Sequence, residues 1–482
     1  MSFFYSAADY SHLPSDSAQI QAAVNEAAKA GGVAVIPSVN PRTGKDVWDI
    51  DETILLPDRT VLKLINAHLR LTDDFIGHMF QNSNAETPLG RTQAGRQYDI
   101  SLLGLGHSVL DGGRYNGIVE KANKLPGAIH SRNNIMTLMY NVEGFRMEGL
   151  TITNHRYWST AMFYCSNVTI RDMTVQSWCN VPNQDGFDVL RGCHHVLIEN
   201  IRGCTGDDMV AISTMGRPDE LSKEGADPDI HDVIVRNLQI YSANGCALIR
   251  ILNHDGNRIY RVLIDGIQET SPSSETDRVY APNPDLYGTL DENHRFVLEP
   301  KQILGQYGYR ADAAIRIGEN FWYSDHPAEP GDTWGITVRN VSTHAQSAVT
   351  VANTLYDSSF ENIRLHGNGF RAILFNNGTV KNVTCRDITW TEECRPHPED
   401  DVVDIGWNST HTEGLSAFHF CGTEVENLLF SGIRTGFGLE CVFGGNGKGT
   451  IHADHVSALD DATLLLPSGE TPDPSDDYEI EL

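Results

Sequence analysis

Apolar residues along most of this chain come in brief runs broken by Asn, Asp, Gly and His, rather than in the spaced stripe of a helix. The exception lies near the start. Between Asp16 and Ala30, the positions Ile20, Ala23, Val24 and Ala27 follow an i, i+3, i+4, i+7 pattern, which predicts a short amphipathic helix behind an Asp16/Ser17 cap. Gly31-Gly32 should end it, and Val33-Ala34-Val35-Ile36 before Pro37 reads as a short strand.

From about residue 50 onward the apolar runs share an outline: three apolar-rich positions, a polar interruption that often contains Asn or Asp, then a second apolar pair. Runs starting at Val168, Val196, Val233 and Val262 are 28, 37 and 29 residues apart, and similar units recur at Ile336, Val380 and Val425. Strand units repeating at that period, without helices between them, predict a solenoid in which each coil covers the apolar face of its neighbour. The expected fold is all-β: a right-handed parallel β-helix of the pectin-lyase-like kind, with the helix at 16–30 as a lid on its first coil. A β-sandwich or propeller with similarly spaced strands is the competing reading.

The connections 214–231, 270–311 and 393–424 exceed ordinary loop length and are rich in Pro, Asp, Glu and Gly. In a solenoid such insertions leave from one face and wall a cleft. No composition break marks a second domain, so residues 1–466 are expected to form one β-helix domain, with an N-terminal cap over about residues 1–40. The tail 467–482 holds six acids and no bases, and is expected to fray into solvent.

Charge narrows the function classes. Across 482 residues, 36 Lys and Arg face 64 Asp and Glu, a net charge of −28, which argues against nucleic acid and against anionic membrane surfaces. The opening residues lack the basic and apolar regions of a signal peptide, so a cytoplasmic location is expected. Nine scattered cysteines without a C-x-x-C pair agree with it, as does the low weight carried by the N-x-[ST] matches at Asn167, Asn377, Asn382 and Asn408. No cofactor is implied. His194-His195 and the other histidines lack metal-ligand spacing and read as solvent-facing or corner residues.

Two acidic stretches carry candidate chemistry: Asn183-Gln184-Asp185-Gly186 and, about one coil later, Gly206-Asp207-Asp208. If the 22 residues from Asp185 to Asp207 make one coil, stacking brings the carboxylates of Asp185, Asp207 and Asp208 onto neighbouring rungs about 5 Å apart. Like charges that close raise at least one pKa, so one carboxyl can stay protonated while another acts as base. Glycosidic bond cleavage needs that division of labour. An isolated Gly-Asp-Asp would merely cap a corner; two such stretches one coil apart inside a strand repeat point to function.

The run from Asn183 to Ile212, N-Q-D-G-F-D-V followed by T-G-D-D-M-V-A-I, resembles the polygalacturonases of glycoside hydrolase family 28, with their N-T-D-G and G-D-D motifs. The resemblance implies a β-helix and hydrolysis with inversion at the anomeric carbon. It implies Asp207 as general acid, Asp185 and Asp208 as the pair that holds and deprotonates water, and Asn183 as their support. Two positions depart from the pattern. Gly245-Cys246-Ala247 replaces the family's G-H-G, and Arg316-Ile317-Gly318 keeps the arginine of R-I-K but loses the lysine that helps bind a uronate carboxylate. The expected substrate is an oligosaccharide or polysaccharide, and the missing lysine weakens the case for galacturonate.

Further candidates for sugar contact are Gln184, beside the first Asp, and the run His155-Arg156-Tyr157-Trp158 one coil earlier, where His155 and Trp158 compete with a packed-corner reading. Arg250 and His254 could compensate for the lost histidine, and Trp322 with Tyr323 could form a platform near Arg316. Cys246 reads as a core thiol. Two other functions stay open: a β-helix lyase, epimerase or fructan-cyclising transferase, and a non-catalytic carbohydrate-binding β-helix. A homo-oligomer is compatible with the sequence.

Overall fold

A computed structural model of the protein describes residues 3–73, 75–113, 134–177, 183–214, 223–242, 246–270, 287–290, 296–299, 311–318, 326–366, 371–390, 416–435, 439, 441–458, 463–465 and 478–481. The chain forms two compact units. One comprises Met1–Val210, Gly216–Pro228 and Val279–Leu304; the other comprises Ala211–Met215, Asp229–Arg278 and Gly305–Leu482. Both consist of stacked parallel coils, and the fold is the right-handed parallel β-helix expected from the repeat.

Alternation within each strand explains the stacking. In the first unit Ala34, Leu62, Leu102, Met147, Ile170 and Ile198 stand in register and are fully buried. In the second, Val235, Ile264, Val338, Phe360, Cys385 and Phe430 do the same. Each such side chain gains roughly 1.5–3 kcal/mol by burial, but only because the next coil supplies the other half of its surroundings.

The polar interruption in each repeat is a corner. Asp172 and Asn200 in the first unit adopt left-handed φ values of 56° and 57°, as do Asn237, Asn340 and Asn362 in the second at 57°, 58° and 50°. That conformation costs most L-residues about 1–2 kcal/mol, and Asn and Asp tolerate it best. Once stacked, the corner side chains also bond to each other. Asn200 donates to Asp172 at 2.9 Å, Asn340 to Asp265 at 2.7 Å and Asn362 to Asn340 at 2.6 Å.

The helix Asp16–Ala30 buries Ile20, Ala23, Val24 and Ala27 against strands of the first coil, among them Val33–Ile36 and Val47–Ile50. Its cap is Ser15 rather than Asp16 or Ser17: the Ser15 hydroxyl accepts from Ala18 N at 3.2 Å. The two expected cap residues fasten the helix to the coil beneath. Asp16 accepts from Arg42 and, at 2.8 Å, from Asp49 N, while Ser17 accepts from Asp51 N at 2.9 Å. Gly31, at φ 64°, ends the helix.

The acidic tail does not simply fray: Tyr478–Glu481 is a strand in parallel register with Gly449–His452. Pairing of backbone groups on an otherwise open strand outweighs the tail's charge there. Inside the 270–311 connection, Tyr287–Leu290 pairs antiparallel with Phe296–Glu299. The 393–415 part of the third connection lies outside the described residues. The described cysteines are all free thiols, and Cys246 is buried as a core residue. Among the described residues no helix is long and apolar enough to cross a membrane.

Candidate active site

The two acidic stretches meet on consecutive coils of the first unit. Gly186 N and Phe187 N donate to the carbonyls of Asp208 and Met209 at 2.9 Å each, so the rung partner of Asp185 is Asp208 rather than Asp207. The coil is thus one residue longer than the 22-residue spacing assumed. Gly186 permits the approach, because a Cβ there would lie 2.4 Å from the Met209 carbonyl oxygen.

Asn183 turns the preceding corner in the left-handed region at φ 61°, aiming its N–H at Asp207 Oδ2, 2.7 Å away. The other oxygen of Asp207 accepts from Asp208 N at 3.0 Å, and its carbonyl accepts from the Thr205 hydroxyl at 2.6 Å. These bonds help hold the carboxylate in place. One carboxylate oxygen each from Asp185, Asp207 and Asp208 lies within 4.8 Å of the others, and the residues are 5 %, 3 % and 2 % exposed. Two full charges at that distance repel by roughly 3–4 kcal/mol at an effective dielectric of 20.

A fourth carboxylate belongs to this group and was missed in the sequence. Asp188, in the strand Phe187–Leu190, is 1 % exposed; burial first, then the charges of Asp208 and Asp207, raise its pKa well above the usual carboxylate range. Its signal was available: it is the one charged residue in a strand that is otherwise apolar, three positions after Asp185. Replacement by Asn should make the fold less sensitive to pH. In the wild-type chain the native state keeps a proton that the unfolded chain releases above about pH 4, so stability from this group is full below that pH and is lost as pH rises towards the raised value. Urea melts should show Asp188→Asn gaining on the wild type as pH rises from about 4; a difference that stays constant with pH would contradict a protonated Asp188.

Three of the residues expected to contact sugar are buried in this structure. Gln184 is fully buried, its amide nitrogen donating to the His155 carbonyl at 3.0 Å and its oxygen accepting from Ser177 at 2.7 Å. His155 is also fully buried, and burial pulls its pKa down to about 4 against the backbone of Gln184 and Asp185, so the ring is neutral. Trp158 is 4 % exposed and stacks on Tyr157 with centroids 4.9 Å apart. Between them, Arg156 is spent on the backbone, donating to the carbonyls of Gly112, Phe75 and Thr72 at 2.7, 2.5 and 2.8 Å. Apolar and neutral groups inside a corner hold the acid-bearing coil in place.

The remaining candidates belong to the second unit. Arg250 is half-buried and in register with Arg316, which is 2 % exposed and 3.8 Å from Asp312. His254 is 3 % exposed and pairs with Asp255 at 2.9 Å. Trp322 and Tyr323 lie outside the described residues. His195 turns a corner at φ 54° and stands beside His194, as expected for surface histidines. As to a metal, the three carboxylate oxygens could hold a hard cation, but calcium takes six to eight ligands, and among the described residues only these three acids bring ligand atoms within that distance of one another.

Fold and site together define a parallel β-helix protein with a carboxylate cluster on adjacent coils. Residues 92–219, which include all four acids, match glycosyl hydrolases family 28, and over this stretch the chain is a divergent family 28-like sequence. No curated protein matches the chain in sequence. Among solved structures it is similar to a double mutant of the tailspike protein of E. coli bacteriophage HK620 in complex with a pentasaccharide, at 11 % identity and TM-score 0.54 over 95 % of this chain and 78 % of that one. It is also similar to a family 28 exopolygalacturonase of Yersinia enterocolitica, at 13 % identity and TM-score 0.45 over 96 % and 79 % of the two chains. At such identities the likeness concerns the fold.

Proposed function

We propose that the chain is a glycoside hydrolase that cleaves an oligosaccharide or polysaccharide with Asp207 as general acid and with Asp185 and Asp208 positioning and deprotonating the attacking water. The observation that carries this reading is the approach of the three carboxylates to within 4.8 Å on neighbouring coils, in a stretch that matches a hydrolase family. The reaction needs one carboxyl as acid and another as base, and neighbouring carboxyls on adjacent coils are the groups able to divide those roles. Asn183 acts on Asp207 through its backbone N–H.

The stereochemical outcome tests the roles. Inverting enzymes usually hold their carboxyl groups about 6.5–9.5 Å apart to leave room for water, and retaining ones about 5–5.5 Å. The closer spacing here suits inversion only if the water sits between Asp185 and Asp208, beside the acid rather than across from it. Incubation with a panel of neutral and uronic oligosaccharides should release products whose masses sum to substrate plus water, without an ultraviolet-absorbing double bond and without loss of rate in chelator. Proton NMR of the first product should show the inverted anomer. A retained anomer would make Asp185 or Asp208 a nucleophile; an unsaturated or dehydrated product would replace hydrolysis with a lyase or transferase reaction.

A further inference from the structure

A cavity opens in the first unit, apart from the four acids. Its volume is about 490 Å³, within the range of small-ligand pockets, and its walls include Asp49, Arg70, Thr72, Asp73, Asp111 and Asn154. Strand register fixes where it lies. Asp49, Arg70, Asp111, Thr153, Gln176 and Cys204 occupy one position on successive coils. The chain runs from Cys204 through Thr205 and Gly206 directly to Asp207. The cavity therefore sits on the same sheet edge as the acid, with Asp111 three rungs from Cys204, or about 14–15 Å at the usual strand spacing.

The walls are already organised. Arg70 donates to Asp49 at 2.8 Å, and Asp111 is held by His68 at 3.0 Å, Asn154 at 3.0 Å and Gly113 N at 2.9 Å. Burial pushes the Asp111 carboxyl up, but those hydrogen bonds outweigh it and hold the pKa below the usual range, so the group presents an anionic acceptor. Of its three carboxylates, Asp49 is tied to Arg70 and lies 4.0 Å from Lys45, and Asp111 is tied to His68, so the surplus negative charge rests on the exposed Asp73. Such a surface accepts hydrogen bonds from hydroxyls and repels a carboxylate or sulfate.

The geometry points to a distal subsite for an uncharged, hydroxyl-bearing sugar unit, three or so residues along a glycan whose scissile linkage lies at Asp207. The rung spacing is close to the length of one pyranose in an extended chain, so the edge of the helix measures the glycan in single sugars. The placement along a glycan rests on the hydrolase reading; the preference for a neutral ligand rests on the cavity alone.

The test uses the full-length chain and calorimetric titration with maltohexaose, cellohexaose, β-1,4-galactohexaose and hexagalacturonate. At least one neutral hexasaccharide should bind, hexagalacturonate should not, and Arg70→Ala or Asp111→Asn should weaken the neutral hexamer at least tenfold while leaving the trisaccharide of the same series unchanged. Asp73 is exposed at the rim, so Asp73→Lys keeps the fold and should raise hexagalacturonate affinity at least fivefold at low salt. Failure of every neutral hexamer to bind, equal loss for trimer and hexamer, or hexagalacturonate binding that Arg70→Ala abolishes would overturn the proposal. Neutral binding that depends on Arg70 in a chain with no turnover would uphold the subsite and defeat the hydrolase reading instead.

Discussion

Replacing Asp208 by Asn should lower sugar release by a factor of about 10²–10⁴ while the protein stays folded, and Asp207→Asn should do the same. The two losses have different causes. Asp208 stands level with Asp185 across the coil contact, so its amide removes half of the water-binding pair. Asp207 accepts an N–H on each oxygen, from Asn183 and from Asp208, so an amide in its place keeps one of these bonds, sets its NH2 against the other donor and can no longer deliver a proton to the leaving oxygen. Substrates with an activated leaving group such as nitrophenolate should therefore rescue Asp207→Asn and not Asp208→Asn. Near-wild-type turnover in both variants would remove these residues from the reaction.

A large change in stability is expected from Arg156→Met. The guanidinium lies 1 % exposed and satisfies three backbone carbonyls in two segments, those of Thr72 and Phe75 in one and of Gly112 in the other. Hydrogen bonds from a charged donor are each worth about 1.5–3 kcal/mol, and buried carbonyls left without partners add a cost, so a loss of roughly 3–5 kcal/mol should appear in the urea midpoint. A loss under about 1 kcal/mol would mean that water replaces the guanidinium. Thr72 also lines the distal cavity, so hexasaccharide binding should weaken in this variant before the fold itself is lost.

Asp188 illustrates what a linear reading overlooks. It stands inside the very motif that identified its neighbours, yet its importance comes from what surrounds it: full burial and the charges of Asp207 and Asp208, which belong to the next coil. His155 and Trp158 show the opposite difficulty. Aromatic and basic residues one coil before an acid suggest a sugar platform, but the corner they form closes on itself, with Trp158 against Tyr157 and the His155 carbonyl against Gln184. Residue type near a site does not say which way a side chain faces when every corner of a coil has an inside and an outside.

By itself the sequence determined the coil: short alternating runs stack Leu62 on Leu102 and Ile170 on Ile198, and Asn or Asp at the breaks, as at Asp172 and Asn200, accepts the left-handed corner. It also placed three carboxylates within one coil of each other, because a regular repeat converts distance along the chain into height along the solenoid axis. Only the tertiary structure decided the register that sets Asp208 rather than Asp207 against Asp185, the burial that turns Asp188 into a proton holder, and the gathering of Asp49, Arg70 and Asp111 around one cavity. A single added residue shifts which side chains share a rung, and the electric field at a carboxylate is a sum over neighbours from every coil.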